Sequence, residues 1–281
     1  MSSLGYFKDL LSSRELLINL TMREVRGKYK RTALGQLWSL ANPLASMLVY
    51  TFIFSFVFRI QPAPGNPSGL NSFALWLLCG LLPWLFFANV ISQGSTALVS
   101  NAGLIQKVYF SRAVLPLSLV FSSAYNWLFE MGVLAVVLLL AGSFLLPWIP
   151  FVLFMMLLLA LFAAGIAMML SVANVYFRDT EHILSLFLQI WMYLTPIIYP
   201  ISLVEEQSVR VGGLLGTPVT IMDIYQLNPM ERFVSVFRQL MYDNTWPNLS
   251  DLLFCFVISA LSLVIGLIVF SKNEKGLAEA L

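Results

Sequence analysis

The stretch PFVLFMMLLLALFAAGIAMMLSVANV, residues 150–175, contains no charged side chain. A helix needs about 20 apolar residues to cross the hydrocarbon core of a bilayer, so this block is long enough to span. Similar apolar blocks lie at 37–59, 72–98, 113–141, 183–200 and 252–270, which predicts six spans. The second and third are long enough to tilt or to project past the membrane. The fifth is short and holds Pro196 and Pro200, which predicts a break near its end. Of 281 residues, 59% are hydrophobic and 11% charged, whereas soluble domains carry about 25% charged residues. The expected fold is therefore an all-α integral membrane protein.

Orientation follows from Lys and Arg near the span ends. Lys8, Arg14, Arg23, Arg26, Lys28, Lys30 and Arg31 precede the first span. Lys107, Arg112, Arg178, Lys272 and Lys275 fall on the same side, giving twelve against four (Arg59, Arg210, Arg232 and Arg238) on the other. Both termini are expected in the cytoplasm. The polar first 35 residues show no cleavable signal peptide.

Within residues 1–36, Ser12 and Glu15 have capping-box spacing. Ile18, Met22, Val25 and Tyr29 form one apolar stripe among basic residues. That pattern predicts an amphipathic interface helix, serving either as a topology signal or as an anion-contacting surface. Residues 37–281 are expected to form one six-span domain. The connection 201–251 is too long for a plain turn. Asn228-Pro-Met-Glu231 reads as a helix start, followed by the apolar stripe Phe233, Phe237, Leu240 and Met241. Short external, membrane-associated helices are expected there.

Three motifs narrow the class: Arg26-Gly-Lys-Tyr-Lys-Arg-Thr-Ala-Leu-Gly-Gln-Leu-Trp38 running into Asn42-Pro43; Asn101-Ala-Gly-Leu-Ile-Gln-Lys-Val-Tyr-Phe-Ser-Arg112 with Leu115-Pro116; and Asn174-Val-Tyr-Phe-Arg-Asp179 followed by Thr195-Pro-Ile-Ile-Tyr-Pro200. With Asn228-Pro-Met230 and Phe270-Ser-Lys-Asn-Glu274, they resemble the permease subunits of type-2 ABC exporters for O-antigen, capsule, teichoic acid and galactan. The resemblance runs through nearly the whole chain in order. It implies a homodimer in the bacterial cytoplasmic membrane, served by two copies of a separate ATPase. No Gly-x-x-x-x-Gly-Lys-Ser/Thr loop occurs here, so no cofactor is expected in this chain and ATP with Mg belongs to the partner. The implied substrate is a polyprenyl-pyrophosphate-linked polysaccharide; no nucleic acid, no metal site and no catalytic residue are expected.

Site candidates follow. Arg23, Arg26, Lys28, Lys30 and Arg31 are placed to meet the pyrophosphate, with Gly35 allowing close backbone approach. The piece between Asn101, read as a helix cap, and Pro116 is a candidate lever toward the ATPase, with Gln106, Lys107, Tyr109 and Arg112. Arg178 and Asp179 either pair internally or join that contact. Tyr50, Phe54, Trp84, Phe87, Trp191 and Tyr199 are candidates to line a sugar-tolerant channel, since pyranose faces stack on aromatic rings; an interfacial belt is the plainer account. Glu130 stands mid-span with no Lys or Arg inside any span to pair it, Arg59 being the last residue of the first. It is either protonated, held by neutral donors such as Asn126, or wetted by a cavity that it helps to line. Ala160, Ala163, Ala164, Ala167 and Ser171 permit close helix approach, within a subunit or between two.

A related exporter of drugs or lipids is the main rival. An intramembrane enzyme is disfavoured, because the single buried acid and His182 at a span edge offer no convergent polar site. Cysteines introduced as Ser2→Cys and Lys275→Cys are expected to react with impermeant maleimide only from the cytoplasm, and Asn66→Cys only from outside. Labelling of the two terminal sites from opposite faces would rule out an even span count.

Overall fold

The computed structural model describes residues 13–28, 30, 32–108, 110–213, 217–274 and 276–281. The described residues form helices and connecting turns, with no strand among them. Helix α1 (Arg14–Lys28) precedes α2, which winds as a 3-10 turn over Gly35–Leu37, an α-helix over Trp38–Tyr50 and π-type turns over Thr51–Val57. Next come α3 (Phe73–Ser100), the short α4 (Ala102–Ile105) and α5 (Val114–Leu140). A 3-10 turn leads into α6 (Ile149–Tyr176), followed by α7 (Thr180–Tyr193), α8 (Ser202–Val211) and α9 (Ile221–Gln226). Helix α10 (Pro229–Arg238) continues as a π turn over Gln239–Asp243, then come α11 (Leu249–Asn273) and α12 (Leu277–Ala280).

Five helical segments among the described residues are long and apolar enough to cross a membrane: Gly35–Val57, Phe73–Ser100, Val114–Leu140, Leu146–Tyr176 and Leu249–Asn273. The expected fifth span appears as α7, 14 residues long, which is about 21 Å at 1.5 Å per residue. It ends where Pro196 and Pro200 interrupt the chain, as their spacing predicts.

The centre of the protein is α3, α6 and α11. Lipid tails are as apolar as leucine, so helices in a bilayer gain little from burying aliphatic surface; close backbone approach and interhelical hydrogen bonds hold them. Gly94 of α3 meets Ala167 of α6, where an added Cβ would come within 2.5 Å of the alanine methyl. Gly165 of α6 lies against the backbone of Ser262 in α11. Ser262 Oγ donates to Phe162 O at 2.9 Å. The small residues of α6 are therefore spent inside the subunit.

Helix α1 meets the body of the subunit through its leucines. Leu20 is buried with Leu98, Ile105, Val114 and Leu115, and Leu16 and Leu17 pack against the same cluster. Ile18 and Met22, from the expected stripe, point outward at 60% and 40% exposure. Alpha-helical leucines at 16, 17 and 20 also share one side, so the segment has two apolar faces, and the leucine face meets the body. Ser12 and Tyr29 lie outside the described residues.

A Cβ on Gly266 would stand 2.5 Å from Gly165 O, whereas one on Gly132 would meet nothing within 4 Å. Gly266→Leu is expected to lower the thermal midpoint of the detergent-solubilised protein, with an overpacking cost of roughly 1–3 kcal/mol or more. Gly132→Ala, in the middle of α5, is expected to leave the midpoint unchanged or to raise it, since glycine costs a helix interior about 1 kcal/mol relative to alanine.

Candidate functional site

The end of the bundle near α1 collects the expected entrance and coupling residues. The end of α3, α4, the start of α5, the ends of α6 and α11, and α12 share one apolar cluster with Leu20. Gln106, Lys107, Arg178 and Asp179 are exposed around it. Arg112 is half-buried, and its backbone N–H donates to Glu274 Oε1 at 2.8 Å. This ties the second motif to the C-terminal one. Asn101 stands just before α4 but does not cap it. Its amide donates to Ala97 O at 2.9 Å, and its oxygen accepts from Arg23 Nη2 at 3.3 Å. Asn101 thus links α1 to the end of α3. Tyr109 lies outside the described residues.

Among the basic residues of the first motif, Arg23 also pairs with Glu24 at 2.7 Å. Arg26, Lys28 and Lys30 are exposed, and Arg31 lies outside the described residues. Gly35 has φ +52, and a Cβ there would meet nothing within 4 Å. The left-handed backbone that starts α2 favours glycine at this position. Glu130 lies within electrostatic range of Lys28 at the end of α1, with Ser39 at the start of α2 nearby. That cation stands outside the spans, on a helix that packs along α5.

The aromatic candidates separate into two groups. Trp84 and Phe87 are 2% and 0% exposed, inside the subunit's own core. Trp191 stands edge-on to both, with ring centroids 6.1 and 5.2 Å away, and Phe87 stacks on Phe162 at 5.4 Å. Tyr50 and Phe54 are half-buried on α2. The half-buried Tyr199 donates to Tyr193 O at 2.8 Å and lies 3.1 Å from the Tyr225 hydroxyl. The rings exposed on α2 and α7 are Trp38, Phe52, Phe56, Phe187 and Tyr193.

At the opposite end of α3, the third motif meets Asn228. The Asn228 side chain accepts from Met230 N at 3.0 Å, capping α10 as its spacing predicts. The same oxygen accepts from Trp191 Nε1 at 2.8 Å, and the amide donates to Thr195 Oγ1 at 2.9 Å and Leu194 O at 3.3 Å. Phe233, Phe237, Leu240 and Met241 are all buried, as their stripe predicts. Arg238 was legible only as a loop charge. It is 8% exposed and donates to Pro196 O and Ile197 O, both at 2.6 Å, and to Trp76 O at 3.4 Å. Its guanidinium lies 3.5 Å from the Trp76 ring centroid. Arg232 pairs with Asp251 at the start of α11. Beside them, burial pushes the Glu231 carboxyl up to about 7, opposed by Arg232.

The structure is thus a helical bundle with five candidate membrane spans and a helix α10 buried against the break after α7. Residues 15–242 match the ABC-2 type transporter family. The chain belongs to that family. It is 29% identical to the O-antigen export system permease protein RfbA of Myxococcus xanthus, over 98% of each chain. It is 30% identical to RfbA of Klebsiella pneumoniae, over 99% of this chain and 97% of the relative. It is 23% identical to the polysialic acid transport protein KpsM of Escherichia coli, over 92% of this chain and 93% of the relative.

Asn228→Ala removes the α10 cap and leaves Trp191 Nε1 without its acceptor. The expected loss is roughly 2–4 kcal/mol, combining a cap with an unmade buried hydrogen bond. A thermal melt of the purified protein measures it, and Asn101→Ala is expected to cost far less because that side chain caps nothing.

Proposed function

We propose that this chain is the channel-forming permease subunit of an ATP-driven exporter, moving a polyprenyl-pyrophosphate-linked polysaccharide across the bacterial cytoplasmic membrane. The observation that carries the reading is full-length similarity, up to 30% identity, to permeases named for O-antigen export. Both termini are cytoplasmic in this reading, and α7 with the residues beyond it completes a sixth crossing. The helices between α7 and α11 lie at the exit side.

Two copies form the path. Helix α2 has only 6% of its apolar window buried, and α7 carries exposed Phe187 and Ile190. A second subunit facing these helices encloses the exposed rings, which then provide stacking surface for a sliding glycan. Trp84 and Phe87 support that wall from behind. The exposed polar residues Gln106, Lys107, Arg178 and Asp179 receive two copies of the ATPase, whose movement passes through Arg112 and Glu274.

At the entrance, Arg26 presents a two-pronged donor to the pyrophosphate, while Arg23 is shared with Glu24 and Asn101. Arg26→Ala is expected to lower surface glycan about tenfold at matched membrane abundance, the worth of a charge-assisted pair. Arg26→Lys is expected to recover part of it. Full export from both variants would leave the basic set as an anchor to anionic lipid, worth about 1 kcal/mol per residue. ATPase activity of the purified complex stimulated by drugs, and not by lipid-linked glycan, would overturn the substrate assignment.

A further inference from the structure

Between loop 62–66, the break at 196–202 and α10 lies a cavity of about 420 Å³. Trp76, near the start of α3, lines it. Asn101, at the far end of α3, is 25 residues away, about 38 Å along a helix. The cavity and the basic entrance are therefore at opposite ends of a bilayer-length helix.

The polar groups of this cavity are incompletely satisfied. Glu231 is 6% exposed, and its Oε2 has no hydrogen-bond partner. Arg232 Nε stands 3.7 Å away, beyond hydrogen-bond distance, and that side chain is already committed to Asp251 and Gln226 O. Gln239 Oε1 is likewise buried without a partner. Arg238 uses three of its five N–H groups on carbonyls. Asp243 also lines the cavity and accepts the Asn66 backbone N–H. A buried acceptor left unmade costs about 1–3 kcal/mol, so a structure that keeps two of them beside spare donors is suited to an incoming polar molecule.

Charge selects its class. Two carboxyl groups and one guanidinium disfavour an anion such as phosphate, and Arg238 disfavours a cation. A neutral molecule carrying several hydroxyls fits, because each hydroxyl both donates and accepts. Pro62, Pro64, Pro200 and Trp76 supply apolar walls for the C–H faces of a ring. The volume is in the range of small-molecule sites.

We propose that this cavity is a saccharide-binding site at the exit end of the permease, holding one neutral sugar unit through Glu231, Gln239 and the spare N–H groups of Arg238. The proposal rests on the polysaccharide-export reading. It gives the exit side a specific sugar contact in addition to a smooth ring wall, so a chain pausing between power strokes is held against slipping back.

The test uses the full permease–ATPase complex in cells making the glycan. Ser202, exposed at the cavity rim, is replaced by p-benzoylphenylalanine, and Val209, exposed farther along α8, serves as control. Irradiation during export is expected to give a permease–glycan adduct at 202 and none at 209, detected by carbohydrate staining of the purified permease. Glu231→Gln, nearly identical in shape, and Gln239→Leu are each expected to reduce adduct per permease about tenfold. Absence of the adduct, or yields unchanged in both variants, would overturn the site. Surface glycan that persists after deletion of the permease would overturn the export reading itself, independently of where any adduct forms.

Discussion

The Arg238 guanidinium binding the carbonyls of Pro196 and Ile197 is the contact on which the far end of the protein depends. A helix that stops near a bilayer leaves carbonyls without N–H partners, and each one unsatisfied in hydrocarbon costs several kcal/mol. Pro196 and Pro200 remove two donors outright. The missing bonds are supplied from α10: Arg238 takes two carbonyls at 2.6 Å, and Asn228 takes Leu194 O. The planar fork of arginine reaches adjacent carbonyls at once, which a lysine point charge does not. The site also dictates Gly80. In the middle of α3, glycine costs about 1 kcal/mol relative to alanine. A Cβ there, however, would come within 2.9 Å of Arg238 Nη2 and of Val234 Cγ1.

Once α10 is seated, the aromatic core follows. Phe237 meets Trp127 edge-on at 5.9 Å, and Trp127 stacks on Phe86 at 4.1 Å. Phe233 lies on Phe162, which lies on Phe87, which meets Trp191. Trp191 then returns to α10 through Asn228. The rings form a closed circuit through α3, α6, α7 and α10, so the broken helix is fixed at both its last turn and its carbonyls.

Much of this was legible in the sequence because the signals are local. Five apolar blocks, the Pro196 break, the Asn228 cap and the Phe233–Met241 stripe depend on spacing within one segment. What was not legible depends on which elements meet. Arg238 sits in a long connection and reads as a loop charge until α10 is seen packed against the break. Trp84 and Phe87 look the same as channel aromatics in a linear chain, but they are buried behind Trp191. Asn101 has cap chemistry at a cap position, and Arg23, 78 residues earlier, draws it away. Helix α1 is apolar on two sides, and only its packing on α5 shows which of them meets the body.

The contacts divide the subunit into parts of unequal stiffness. Where α6 crosses α11 and α3, backbones touch through Gly165, Gly266 and Gly94, and interfaces packed this closely shift between discrete arrangements; they do not deform smoothly. Helix α2 is largely uncovered, and α1 packs on α5 outside that crossing. Glu130 of α5 has Lys28 from the end of α1 and Ser39 from the start of α2 within reach. An isolated carboxylate at that depth costs about 2.5–3.5 kcal/mol on insertion scales, so α5 gains by keeping both neighbours close. Residues of α1, the first turn of α2 and α5 thus meet around Glu130, apart from the crossing of α3, α6 and α11.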